Sequence, residues 1–149
     1  MQIRNGYYAR YKGRDYKTKD VYKGENISIY SEDISDLKLG FEEYQTGKYR
    51  KVLRKSELET VYKVTTYARY RGHRFVLMSA HSDEVTLTQV GWQDPPILVV
   101  VHLGFNEVER AVFEKTVPIA ALDKIWVDIQ PVDGFPAPVE SIINQGRFE

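Results

Sequence analysis

The sequence predicts a mainly all-β chain built as two small β-barrels in tandem, and two observations carry that prediction. The first is an internal duplication. Tyr8-Ala9-Arg10-Tyr11-Lys12-Gly13 recurs as Tyr67-Ala68-Arg69-Tyr70-Arg71-Gly72, an offset of 59 from Tyr8 to Tyr67, with only Lys12 changed to Arg71. Leu39-Gly40-Phe41, Tyr49, Lys51, Leu58, Val61 and Tyr62 then recur as Leu103-Gly104-Phe105, Phe113, Lys115, Leu122, Ile125 and Trp126, an offset of 64 from Leu39 to Leu103. The second copy therefore holds about five additional residues between the two matched stretches, as a repeat with one loop insertion does. The second observation is a period-two alternation of apolar and polar side chains in short runs bounded by Gly and Asn, the pattern of half-buried strands joined by turns. The repeat divides the 149 residues into a first barrel over residues 1–64, a second over 65–130 with a loop insertion near 91–96, and a C-terminal tail over 131–149.

Within the first copy, Tyr7 to Tyr11 alternates and ends at Lys12-Gly13, a strand followed by a tight turn. Arg14 to Tyr22 is the second strand, Lys23-Gly24-Glu25-Asn26 a turn, and Ile27-Ser28-Ile29-Tyr30 a half-buried third strand. Residues 31–44 break the alternation and read as an irregular loop from which Leu37, Leu39 and Phe41 dip into the core. Gln45-Thr46-Gly47 turns the chain into a fourth strand, Tyr49 to Leu53. Ser56-Glu57-Leu58-Glu59 has the Ser-x-x-Glu form of a capping box and predicts one helical turn before the last strand, Val61 to Val64.

The second copy repeats the order. Tyr67 to Tyr70, Arg74 to Ser79 and Glu84 to Thr88 stand for the first three strands, with His81-Ser82-Asp83 as a turn. After the inserted loop, Ile97 to His102 is apolar and β-branched enough to predict an extra strand. Ala111 to Val117 is the fourth strand, Pro118 to Leu122 the short helical turn and Lys124 to Ile129 the fifth strand. No linker separates the copies, so Val61 to Tyr70 reads as one continuous extended segment. In the tail, Pro138 to Gln145 before Gly146 has the Pro-first, Gly-last signature of a short helix that Ile142 and Ile143 would dock on a barrel.

Lys plus Arg equal Asp plus Glu at 21 each, so the whole chain has no general attraction to nucleic acid or to an anionic membrane. Along the chain the charge is uneven: residues 1–63 hold 14 basic and 10 acidic residues, residues 64–149 hold 7 and 11. Cysteine is absent, which excludes disulfides and thiolate chemistry. The longest apolar run, Pro95 to Val101, is too short to span a bilayer, and the N-terminal residues are polar, so a soluble cytoplasmic protein without membrane partners is expected. His73, His81 and His102 have no second ligand at metal-binding spacing, Ser79 near His81 lacks an oxyanion-forming loop, and phosphate-cradling Gly-rich loops are missing. No enzyme, cofactor or metal is expected.

Five short strands with a helical turn before the last resemble the order of an SH3-like small barrel, and two in tandem resemble Tudor-type modules. The paired Tyr-Ala-Arg-Tyr-(Lys/Arg)-Gly stretches and the two Leu-Gly-Phe segments also make the chain similar to the small β-rich immunity proteins that bacteria encode beside polymorphic toxins. That resemblance implies a non-catalytic protein-binding module whose partner is a toxin's C-terminal domain. Its contacts would come from the acidic stretch Glu32, Asp33, Asp36, Glu42 and Glu43, suited to a basic nuclease cleft, and from Trp92 and Asp94 on the inserted, Pro-stiffened loop. The Tudor-type likeness implies instead recognition of nucleic acid or a modified peptide. Aromatic residues interleaved with basic ones, Tyr7, Tyr8, Arg10, Tyr11 and Lys12 and again Tyr67, Arg69, Tyr70 and Arg71, would supply it. The same alternation is also what any half-buried strand shows, with tyrosines inward and cations outward.

Overall fold

Duplicated turns set the frame. Lys12-Gly13 and Arg71-Gly72 both adopt left-handed backbone, with φ of 50° and 77° in the first pair and 52° and 81° in the second. Two consecutive left-handed residues make the two-residue hairpin whose twist matches its strands, and Tyr11 pairs with Arg14 as Tyr70 pairs with His73. The computed structural model of the chain describes residues 3–90 and 95–138.

Among these residues eleven strands form: β1 Gly6–Tyr11, β2 Arg14–Lys19, β3 Asn26–Ser31, β4 Glu42–Gln45, β5 Lys48–Arg54, β6 Thr60–Tyr70, β7 His73–His81, β8 Glu84–Val90, β9 Asn106–Glu109, β10 Val112–Pro118 and β11 Lys124–Pro131. The protein is mainly β, as its alternation predicts. The strands follow the open antiparallel path β4-β5-β3-β2-β1-β6-β7-β8-β10-β9, and β11 pairs with β6.

Two compact units result. The first comprises residues 6–64 and, within the described chain, 129–138; the second comprises 3–5 and 65–128. β6 runs without interruption through residues 60–70, as the missing linker predicts. In the first unit Tyr16, Ile27, Ile29, Phe41, Tyr49, Leu53, Val61 and the tail residue Val132 form one buried cluster. In the second, Phe75, Leu77, Val85, Leu87, Val100, Phe105, Phe113 and Val117 do the same. The tail belongs to the first core through its backbone as well. Val132 N–H donates to Val61 O at 2.8 Å, and Thr60 Oγ1 donates to Pro136 O at 2.6 Å.

The two units share cross-strand register at matched positions. Tyr30 lies opposite Arg50 as Thr88 lies opposite Glu114, and Ser28 opposite Val52 as Thr86 opposite Thr116. Most inward positions keep their character between copies, Phe41 with Phe105, Tyr49 with Phe113 and Leu53 with Val117, whereas several outward positions on β2, β3 and β5 do not.

Several local expectations are corrected. β2 stops at Lys19 rather than Tyr22, because Asp20 turns left-handed at φ 56°. Residues 31–44 are not an irregular loop: Ile34–Leu39 is a 3-10 helix and Glu42–Gln45 is β4. Ile97–His102 is a six-residue α-helix, α1, and not a strand. With the offset of 64 it is the counterpart of that 3-10 helix, so Val100 is buried where Asp36 is buried. Position in the core overrides the β-propensity of three valines, and Pro96 O accepts the first amides of the turn, from Val99 and Val100. The helical turn before β6 is Lys55–Glu57, closed by Glu57 Oε2 accepting from Arg54 N–H at 2.9 Å. Ser56 does not cap it. Glu59 instead accepts the Gly13 N–H at 2.8 Å. The expected helix from Pro138 and the residues Ile142 and Ile143 fall outside the described chain, apart from Pro138 itself.

Candidate functional site

The acidic stretch of the first unit turns largely inward. Asp33 begins the 3-10 helix, its carboxylate accepting from Ser35 N–H at 2.9 Å and Ser35 Oγ at 2.7 Å, with Arg14 Nη2 3.7 Å away. Those serine hydrogen bonds, and secondarily Arg14, hold its carboxyl below the usual aspartate range. Asp36 is only 1% exposed and receives Arg14 Nη1 at 2.9 Å, Tyr16 OH at 3.2 Å and Ser31 Oγ. Burial, then the Asp36 charge, pushes the Tyr16 phenol up. Glu43 Oε2 accepts from Gly47 N–H across the β4–β5 turn at 3.2 Å, and its counterpart Glu107 does the same for Ala111 at 3.2 Å. Of the five acids, Glu32 and Glu42 point to solvent free of such internal work. Trp92 and Asp94 lie outside the described residues.

The tyrosines of the duplicated motif pack inward, whereas its cations Lys12, Arg69 and Arg71 are exposed. Tyr8, Tyr11 and Tyr70 are buried, and Tyr7 and Tyr67 half-buried. Tyr11 and Tyr70 each roof a lysine. Lys51 Nζ donates to Leu39 O and sits 5.4 Å from the Tyr11 ring centre. Lys115 Nζ donates to Leu103 O at 2.7 Å and to Tyr70 OH at 3.1 Å, 5.4 Å from that ring centre. Each ammonium thus ties off carbonyls at the end of a short helix, where a cation is favoured. The Lys115 hydrogen bond lowers the Tyr70 phenol from its ordinary value.

A different set of residues gathers on the outward face of the first unit's sheet. Alternation along β2, β3 and β5 sends Tyr16, Ile27, Ile29, Tyr49 and Leu53 into the core and leaves Lys17, Lys19, Tyr30, Lys48, Arg50, Val52 and Arg54 on the other side. Cross-strand pairing aligns them: Lys17 with Tyr30, Tyr30 with Arg50, Arg50 with Glu42. Tyr44 of β4 joins this group, its ring 5.8 Å from Tyr30 at 73°. The cations lie on the rings, Lys19 Nζ 5.2 Å from the Tyr30 centre and Arg50 Cζ 5.5 Å from the Tyr44 centre. Lys17, Lys19, Lys48, Arg50 and Arg54 form no ion pair among the described residues, and Glu42 is the one carboxylate in their register.

The second unit carries no such face. At the same registers it has Val76 for Lys17, Thr88 for Tyr30, Glu114 for Arg50, Thr116 for Val52 and Pro118 for Arg54, with Val108 for Tyr44. One frame supports both surfaces, so packing does not require the basic one. The signal is present in the sequence as the alternating cations Lys48, Arg50 and Arg54 and Lys17 and Lys19, which only the pairing of β2, β3 and β5 brings onto one face.

Among the described residues no group of three or more His, Asp or Glu is placed to hold a metal ion, and no helix is long and apolar enough to cross a membrane. The model of the family described as uncharacterised conserved protein UCP033725 matches residues 3–131. The chain belongs to that family. The match takes in both copies of the repeat and ends with β11, at Pro131. No curated protein and no solved structure matches the chain.

Proposed function

We propose that the chain is a non-catalytic binding module of the cytoplasm that takes a polyanionic partner on the outward sheet face of its first unit. The observation that supports this reading is the cluster Lys17, Lys19, Lys48, Arg50 and Arg54, which faces solvent with the single carboxylate Glu42 among them and is erased in the second copy of the same frame. A patch of one sign attracts the opposite sign even on a chain whose formal net charge is zero. In this reading each unit descends from a small barrel of SH3-like order, and the module is of the tandem Tudor type.

Retention on a heparin column at low salt tests the proposal. Lys17→Val with Arg50→Gln removes two of the charges without setting a second carboxylate opposite Glu42, and with the fold checked by circular dichroism elution should shift to markedly lower salt. A wild-type chain that passes straight through at low salt refutes the reading.

A protein partner is the second reading, with an immunity role against a toxin's C-terminal domain as its most concrete form. It is favoured by exposed apolar pairs that recur at equivalent places, Ile34 and Leu37 on the 3-10 helix and Leu98 and Val101 on α1, the first beside Glu32. Paired exposed apolar residues are a usual mark of interfaces. Affinity purification of the native chain that recovers a toxin domain, with loss on Ile34→Ser and Leu37→Ser, would establish it; recovery of the chain alone would count against it.

A further inference from the structure

The charge of the face says only that its partner is anionic; the aromatic residues narrow the chemistry. Tyr30 and Tyr44 stand together on this face, with Lys17 and Arg50 opposite Tyr30, Lys19 over the Tyr30 ring, and Arg54 farther along β5, opposite Asn26. Tyr44 keeps 42% of its surface open. Arg50 lies over that ring rather than against a carboxylate, and a guanidinium held flat is itself a stacking surface. A four-stranded sheet that offers aromatic rings between cations matches unpaired bases with a phosphate backbone: the rings accept base faces and the cations accept the phosphates. Duplex nucleic acid keeps its bases stacked inside, and a pleated sheet face laid on its backbone would leave Tyr30 and Tyr44 without a function. The internal comparison agrees. Where the cations are lost in the second unit, both tyrosines are lost too, to Thr88 and Val108.

We infer that the outward face of β2, β3, β5 and β4 binds single-stranded nucleic acid, with bases stacked on Tyr30 and Tyr44 and phosphates held by Lys17, Lys19, Arg50 and Arg54. This inference rests on the polyanion reading above and adds the requirement for bases.

Fluorescence anisotropy at low salt separates the two. The probes are labelled oligothymidylate, oligouridylate, a duplex, and an abasic strand of equal length, with heparin as competitor. The full chain should bind one of the base-bearing single strands at least about tenfold more tightly than the abasic strand or the duplex, because stacking discriminates at roughly that level per base. Tyr30→Thr with Tyr44→Val, both taken from the second unit, should abolish that preference while heparin still binds. Arg50→Glu should weaken every probe and flatten the salt dependence by about one phosphate contact. Equal affinity for abasic and base-bearing strands in the wild type overturns this inference and leaves the polyanion face standing. That comparison needs no variant, so it survives a failure of the double substitution to fold. Absence of binding to any probe at low salt overturns both.

Discussion

Asp36 shows how a single residue can be charged, buried and still dispensable to the frame. Its carboxylate satisfies Arg14, Tyr16 and Ser31, so Asp36→Ala leaves a buried phenol without its acceptor and should cost about 2–3 kcal/mol in urea denaturation. The second unit solves the same position with Val100 against Phe75, without polar groups there. Asp36→Val combined with Tyr16→Phe should therefore recover most of that loss, since replacing a buried polar set by apolar residues of similar volume is often neutral. If the double variant is as unstable as Asp36→Ala, the equivalence of the two sites is wrong. Two phenols should also separate on alkaline titration. Tyr70, lowered by Lys115, ionises before the ordinary tyrosine value of 10.0, and Tyr16, raised by burial and Asp36, after it. The depressed Tyr70 contributes stability that is present above that value and fades as pH falls through its folded pKa. The raised Tyr16 does the reverse, losing stability as pH climbs past 10.0. Phenolate absorbance should show the earliest component vanish in Tyr70→Phe; its persistence would mean that another tyrosine carries it.

Elements end where a backbone conformation forces them to, and two such ends can be compared across the duplication. Gly40 closes the 3-10 helix at φ +90° and Gly104 follows α1 at φ +86°. Alanine at either place pays the left-handed penalty of about 1–2 kcal/mol. At Gly40 a Cβ would also fall 2.6 Å from Lys51 Nζ, whereas at Gly104 the nearest atom, Lys115 Nζ, is 3.4 Å away. Gly40→Ala should therefore destabilise more than Gly104→Ala, and equal shifts in Tm would remove Lys51 from the account. The hairpin turns, the β1-β2-β3 meander and the uninterrupted β6 were legible in the sequence, because alternation and Gly placement are local, whereas the short strands β4 and β9 were not. Burial of Asp36 was not, because Arg14 reaches it from 22 residues away. Nor was α1, since its valines favour a strand and only its equivalence to Ile34–Leu39 places Val100 inward. The candidate face was legible residue by residue but not as a face. Lys17, Tyr30 and Arg50 become neighbours only once β2, β3 and β5 are put in register.

At the scale of the molecule, β6 contributes residues 60–64 to the first unit and 65–70 to the second. Thr66 N–H is held by the Asn5 side chain at 2.8 Å rather than by a ladder partner, and its hydroxyl donates to Arg4 O at 2.8 Å. Because β6 is one uninterrupted strand that contributes to both units, chemical denaturation should show one transition. Tryptophan fluorescence, which reports the second repeat, and amide exchange of first-unit residues such as Val61 should coincide; two separated transitions would show that the shared strand does not couple them. The docking of Val132 against Val61 has a further consequence, which concerns time rather than stability. The half of the protein made first on the ribosome depends on residues made much later. Its core waits for Val132 and Phe135, which follow the whole second repeat, an interval of roughly 3–14 s at ordinary rates of synthesis. Through that interval the growing chain carries a first apolar cluster that still lacks Val132 and Phe135.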